Sequence, residues 1–147
     1  MYIIKSEAAF DSAHFLKGYS GKCSNIHGHR WRITASVCGE TLLTDTQHSG
    51  MLADFGDLKK DLRKIADDLD HSLIYEENTL MPATVKALAD EGFKTVILPF
   101  RPTAENFSRY IFDKMSELGY NVLETAVYET PENCAVYRKN DNEGANL

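Results

Sequence analysis

The stretch Cys23-Ser24-Asn25-Ile26-His27-Gly28-His29 places one thiol and two imidazoles within seven residues. In an extended backbone, residues i and i+2 project to the same side, so the rings of His27 and His29 share a face. Gly28 between them is read as leaving that space clear and letting the chain turn. His14 stands at the far end of an earlier extended stretch, and its ring faces the pair if the two stretches form a hairpin. Three neutral imidazoles with a fourth position left open make a catalytic zinc site. A lone strand histidine is more often structural, so the reading rests on all three meeting through strand pairing. His48, in the polar run Asp45-Thr46-Gln47-His48-Ser49, is read as solvated.

Three further groups can move protons or hold a ligand. Cys23 follows Lys22 in a loop, where a neighbouring cation or metal favours the reactive thiolate; the alternatives are a packed small residue or a fourth zinc ligand. Asp70-His71 closes a helix. A carboxylate-oriented histidine serves as a general acid or base, and a helix-end histidine answering the macrodipole is the plainer alternative. Glu129 ends a strand on the face of Leu123, Thr125 and Val127. A carboxylate there either meets the donor pair of a planar heterocycle or lies at a wet turn. Cys38 and Cys134 are read as packing residues.

The elements that must position these groups follow from periodicity. Tyr2–Phe15 alternates as a strand, with Ile4, Ala8 and Phe10 on one face and Lys5, Glu7 and Asp11 on the other. Residues 17–25 form a Gly/Ser loop. His27–Val37 is a half-buried strand with His29, Trp31, Ile33, Ala35 and Val37 inward. Gly50–Asp54 is a short strand or turn. Asp57–Asp70 is helical on the spacing of Leu58, Leu62, Ile65, Ala66 and Leu69. Pro82–Glu91 is a shorter helix closed by Gly92, and Thr95–Leu98 is a brief strand. Thr103 caps a helix running to about Leu118, with Phe107, Tyr110, Ile111, Met115 and Leu118 inward. Asn121–Glu129 and Ala135–Arg138 close the chain as paired strands. Strands and helices segregated in this way predict an α+β fold, an antiparallel sheet packed by helices on one face.

The chain of 147 residues suits one domain, residues 1–138, with a polar tail over 139–147. The 43% apolar and 26% charged residues are those of a soluble globular protein. A net charge of −6 argues against nucleic acid as a partner. No apolar run can span a bilayer, and no leader precedes the first strand, so no membrane partner is expected. Three cysteines without a CxxC pair fit a reducing, cytoplasmic setting.

These pieces together resemble a known family, the 6-pyruvoyltetrahydropterin and 6-carboxytetrahydropterin synthases. The matching motifs are Phe10-Asp11-Ser12-Ala13-His14, Cys23 to His29, Gly50-Met51-Leu52-Ala53-Asp54-Phe55, Leu69-Asp70-His71, Pro102-Thr103-Ala104-Glu105-Asn106 and Tyr128-Glu129-Thr130. The resemblance implies the tunnelling fold (T-fold), assembling as a homo-oligomeric β-barrel, a trimer or hexamer, with active sites between subunits. It implies Zn2+ on His14, His27 and His29, and Cys23 as general base. Asp70 and His71 would be the proton relay, with Glu129 anchoring the pterin and supporting that relay, and Thr103 and Glu105 nearby. Three residues separate Cys23 from the His-Gly-His pair, which resembles the bacterial 6-carboxytetrahydropterin branch. That branch converts 7,8-dihydroneopterin triphosphate to 6-carboxy-5,6,7,8-tetrahydropterin, releasing triphosphate and acetaldehyde, toward queuosine. The alternatives are 6-pyruvoyltetrahydropterin formation, without carbon–carbon cleavage, and a non-catalytic zinc- or pterin-binding module. Lys22, Arg30 and Arg101 are candidate triphosphate partners. The stretch from Asn78 to Phe100 is longer than in compact members, and Ile74-Tyr75 stands where the family usually has Leu-Asn.

Overall fold

The computed structural model describes residues 1–138; the tail read over 139–147 lies outside the described residues. Strands β1 (Tyr2–His14) and β2 (His27–Gly39) form the predicted antiparallel hairpin, paired along their whole length from Tyr2↔Gly39 to His14↔His27. Their 17–25 connection folds back on itself: the Leu16 amide donates to the Cys23 carbonyl at 2.9 Å, and Lys22–Ser24 makes one 3₁₀ turn. Gly28 turns nothing. It sits in regular strand opposite Ala13, and a Cβ there would meet only the Ser12 carbonyl at 3.5 Å. The expectation that Gly28 provides a turn is therefore corrected.

Helix α1 (Phe55–Leu69) starts two residues before its expected boundary, because Asp54 caps it by accepting from the Gly56 amide at 2.6 Å. Of the two readings of Gly50–Asp54, strand or turn, the structure takes the turn: Gly50 has φ 83° and the chain bends at Leu52 and Ala53. After α1 comes a strand that periodicity did not reveal, β3 (Ser72–Glu76), then α2 (Pro82–Asp90) and β4 (Thr95–Leu98). Helix α3 (Ala104–Glu117) is capped by Thr103, and β5 (Val122–Tyr128) and β6 (Cys134–Arg138) finish the sheet.

The six-stranded sheet runs β4-β3-β1-β2-β5-β6. Neighbours from β1 through β6 on one side are antiparallel, while β3 joins β1, and β4 joins β3, in parallel. The sheet is thus mixed rather than wholly antiparallel, within the α+β architecture that was expected. α1 and α3 cover one face, packing on Phe10, Trp31, Ile33 and Val127 with Leu58, Leu62, Phe107, Ile111 and Met115. Each of those buried side chains contributes about 1.5–3 kcal/mol. Leu118, expected inside, is 55% exposed, because α3 has ended and the chain turns away at Gly119, φ 94°. Phe112 is buried on α3 instead. α2 buries none of its residues.

This face fixes the site. Alternation along β1 and β2 points Phe10, Ser12 and His14, with His27, His29 and Trp31, toward the helices. The aromatic core runs without a break into the imidazoles: Trp31 stacks on Phe10 and meets the His14 ring edge-on at 4.9 Å.

Candidate active site

His14 is 1% exposed, and its Nδ1–H donates to the Pro102 carbonyl at 2.7 Å. That bond leaves Nε2 with its lone pair free. His27, at the first position of β2, does the same through the Asn25 carbonyl at 2.8 Å. The Nε2 atoms of His14, His27 and His29 are all buried, and none has a hydrogen-bond partner among the described residues. Burial pulls the His14 imidazole down to about 4, partly offset by the Pro102 carbonyl. Burial also lowers His29, against the opposing pull of the Glu129 carboxylate. Neutral rings whose free nitrogens converge are a donor set for a metal. One ligand atom from each of His14, His27, His29 and Glu129 lies within 4.8 Å of all the others. The residues present therefore fit a divalent ion.

Glu129 enters from the β5–β6 turn, on the helix side of the sheet as its strand parity requires. Its Oε1 lies 3.4 Å from His14 Nε2 and 3.5 Å from His29 Nε2. The family resemblance implies a pterin anchor at this position; the structure brings the carboxylate into the imidazole cluster. It also lines a cavity of about 340 Å³ with Cys23, Tyr19, Thr103, Glu105 and Cys134. Four of the expected site residues, Cys23, Thr103, Glu105 and Glu129, thus share one cavity. Cys134 was expected to pack; it is exposed at the start of β6 and faces the same space. Its position across from Tyr128 in the closing hairpin was the available signal.

Asp70 and His71 are bonded to each other, Asp70 Oδ2 accepting from His71 Nδ1 at 2.6 Å. Asp70 Oδ1 accepts from the Asp11 amide at 2.7 Å, and the His71 amide donates to the Asp11 carbonyl at 2.7 Å. His71 takes φ 50°, a left-handed conformation costly for a non-glycine residue, so the two bonds to β1 hold it there. Its ring is 81% exposed and lines neither the cavity nor the imidazole cluster of its own chain. Of the candidate triphosphate partners, Arg30 pairs with Asp11 at 2.7 Å and Arg101 donates to the Lys17 carbonyl at 2.5 Å. His48 bonds Asp45 in its loop, as a solvated residue would.

The Asp11 amide holds the Asp70 carboxyl below its usual range, with help from His71. A depressed folded value means this stabilisation is complete above the unfolded value of 3.8 and fades as pH falls through the folded one. Asp70→Ala should cost about 1–3 kcal/mol at neutral pH, because it leaves the Asp11 amide without its acceptor. Urea unfolding of both proteins from neutral pH into the acid range should show the difference shrinking. A difference that stays constant would remove the ionised carboxylate from the explanation.

A mixed sheet backed by two helices, with three imidazoles and a carboxylate at one end of a hairpin, defines a T-fold protein with a candidate metal centre. The model of the family described as 6-pyruvoyl tetrahydropterin synthase matches residues 3–140, and the chain belongs to that family. It is 33% identical over 142 residues to the 6-carboxy-5,6,7,8-tetrahydropterin synthase of Haemophilus influenzae, covering 95% of this chain and 100% of the relative. The Synechocystis protein of the same description is 32% identical over 139 residues, 93% of each chain. Among solved structures, a Wolinella succinogenes protein of uncharacterised function superposes with a TM-score of 0.78 at 20% identity, covering 95% of this chain and 98% of that one. The Plasmodium falciparum 6-pyruvoyl tetrahydropterin synthase gives 0.67 at 20% identity, covering 94% and 97%. These two likenesses speak for the fold.

Proposed function

We propose that the protein is a zinc-dependent carbon–carbon lyase. It would convert 7,8-dihydroneopterin triphosphate to 6-carboxy-5,6,7,8-tetrahydropterin, releasing triphosphate and acetaldehyde, as a step toward queuosine. The observation that carries this is the convergence of three buried, unpartnered imidazole nitrogens beside a cavity that also holds Cys23. The relatives' names and the three-residue interval between Cys23 and His27 direct the choice of product.

In this reading His14, His27 and His29 hold zinc, which supplies Lewis acidity toward the hydroxyl oxygens of the substrate side chain. The Cys23 thiolate takes the proton next to the pterin ring. Glu129 accepts from the donor edge of the ring, and Thr103 and Glu105 border it. His71 exchanges protons with the side-chain oxygens through Nε2, since Asp70 holds its Nδ1. In a single chain His71 lies outside the cavity, so the relay is supplied by a neighbouring subunit of a homo-oligomer, a trimer or hexamer. The sheet favours such assembly. Among the described residues its outer strands β4 and β6 present unpaired edges, with Ile97 53% and Val136 57% exposed. No described helix is long and apolar enough to cross a membrane, and the site proposed is for a small molecule in the cytoplasm.

Incubating zinc-loaded protein with dihydroneopterin triphosphate should yield 6-carboxytetrahydropterin and acetaldehyde in equal amounts, measured by mass spectrometry. Triphosphate with a pyruvoyl product and no acetaldehyde would reassign the reaction to 6-pyruvoyltetrahydropterin formation. Bound pterin that remains unchanged would leave a binding module.

A further inference from the structure

The Glu129 carboxylate stands at a spacing that suits metal ligation better than hydrogen bonding. Its Oε1 lies 3.4 and 3.5 Å from two imidazole nitrogens, yet neither contact has hydrogen-bond alignment and both nitrogens stay unpartnered. A tetrahedral zinc with donors at about 2.0–2.1 Å sets its ligand atoms roughly 3.3–3.4 Å apart. The two carboxylate–imidazole separations are therefore close to tetrahedron edges, in a cluster whose four atoms all lie within 4.8 Å of one another. The same side chain is 31% exposed and lines the cavity of Cys23, Thr103 and Glu105. One carboxylate borders both the metal cluster and the substrate space.

We propose that Glu129 is a fourth metal ligand while the cavity is empty and leaves the metal when a pterin enters, becoming the acceptor for its ring. This rests on the zinc and pterin reading above. Charge favours the first position: three neutral imidazoles leave a dication uncompensated in a partly buried site, and the carboxylate neutralises half of it. Chemistry favours the second, since a planar edge with two N–H donors matches a free carboxylate. The backbone allows the exchange. Glu129 follows the last residue of β5, and its amide is fixed to the Asn133 carbonyl at 3.1 Å, so the side-chain torsions alone make the move. Substrate arrival and the opening of a metal position thereby become one event. A closed resting site also keeps water and stray anions off the ion.

The test uses cobalt(II) in place of zinc, because four-coordinate cobalt absorbs visible light far more strongly than higher-coordinate cobalt. Spectra of wild type, Glu129→Gln and Glu129→Ala are recorded without pterin, together with zinc affinity from chelator competition. Wild type is then titrated with neopterin, which lacks the leaving triphosphate, while neopterin fluorescence reports occupancy. The expected result is a wild-type spectrum altered by both substitutions, with zinc affinity lower by at least about 100-fold, beyond what loss of an outer partner of a ligand costs. The wild-type bands should also shift in proportion to neopterin bound. Identical spectra and affinities in all three proteins would overturn the ligand role. A spectrum sensitive to Glu129 but unmoved at full neopterin occupancy would overturn the exchange. Wild type that binds no stoichiometric metal, or no neopterin, would instead bring down the reading on which the proposal stands.

Discussion

Replacing His27 with alanine should leave a folded protein that has lost most of its metal and, with it, its turnover. His27 is the right imidazole to remove. His14 is 1% exposed and packs against Trp31 at 4.9 Å, so its truncation would open a hole in the core and confuse metal loss with unfolding. His27 is half-buried at the start of β2, its Nδ1–H bonded to the Asn25 carbonyl and its ring beside those of His14 and His29 at 4.5 and 4.9 Å, away from the apolar core. Outer partners of metal ligands are worth 10–100-fold in affinity, so loss of a direct ligand should cost at least about 100-fold. Metal content after equilibration with limiting zinc, and the unfolding midpoint of the metal-free protein, are the two readings. The first should collapse while the second stays within about 0.5 kcal/mol of metal-free wild type. Stoichiometric zinc in the variant at wild-type affinity would end the three-imidazole assignment.

The convergence of the three imidazoles was legible because a strand converts sequence spacing into geometry by a rule of two. His27 and His29 had to share a face, and pairing with the strand ending at His14 had to bring the third ring opposite the first. The cap at Thr103 and the helix stop at Gly92 were equally local and equally readable. What stayed hidden depends on neighbours. β3 lies between two parallel partners, so Ile74 and Tyr75 are both buried and the alternation that marks a half-buried strand is lost. Glu129 was placed on the correct face, yet its nearness to two imidazoles depends on how β5 registers against β2. Cys134 looked like packing because it lies beside an expected strand, yet the first position of β6 leaves it exposed. The Asp70–His71 contact was named from adjacency, but what holds it in place is β1, fifty-nine residues before Asp70, through the Asp11 amide and carbonyl.

The chain divides its chemistry between two places. The imidazoles, Glu129 and the Cys23 cavity gather at one end of the β1–β2 hairpin, while the Asp70–His71 pair is pinned beside Asp11 and faces outward. A histidine–carboxylate pair so exposed is poorly placed to serve the cavity of its own chain and is open to another surface. The strained φ of His71 adds to this: the fold accepts a left-handed histidine and secures it with two short bonds to β1.

Cys23→Ala should separate proton transfer from metal binding. The Cys23 carbonyl, not its thiol, accepts from the Leu16 amide, so truncating the side chain leaves the loop's main-chain bond intact. The thiol is absent from the imidazole–carboxylate cluster, so zinc content should match wild type. Loss of a positioned base costs about 10²–10⁴-fold, and the fall should appear in kcat with little change in KM. The contrast with His27→Ala is then diagnostic, one variant losing metal and rate, the other rate alone. Cys134 faces the same cavity and is the nearest alternative thiol. Should Cys23→Ala keep wild-type turnover while Cys134→Ser loses it, the base would move to the β6 cysteine. Should the double variant keep full turnover, neither thiol would be the base.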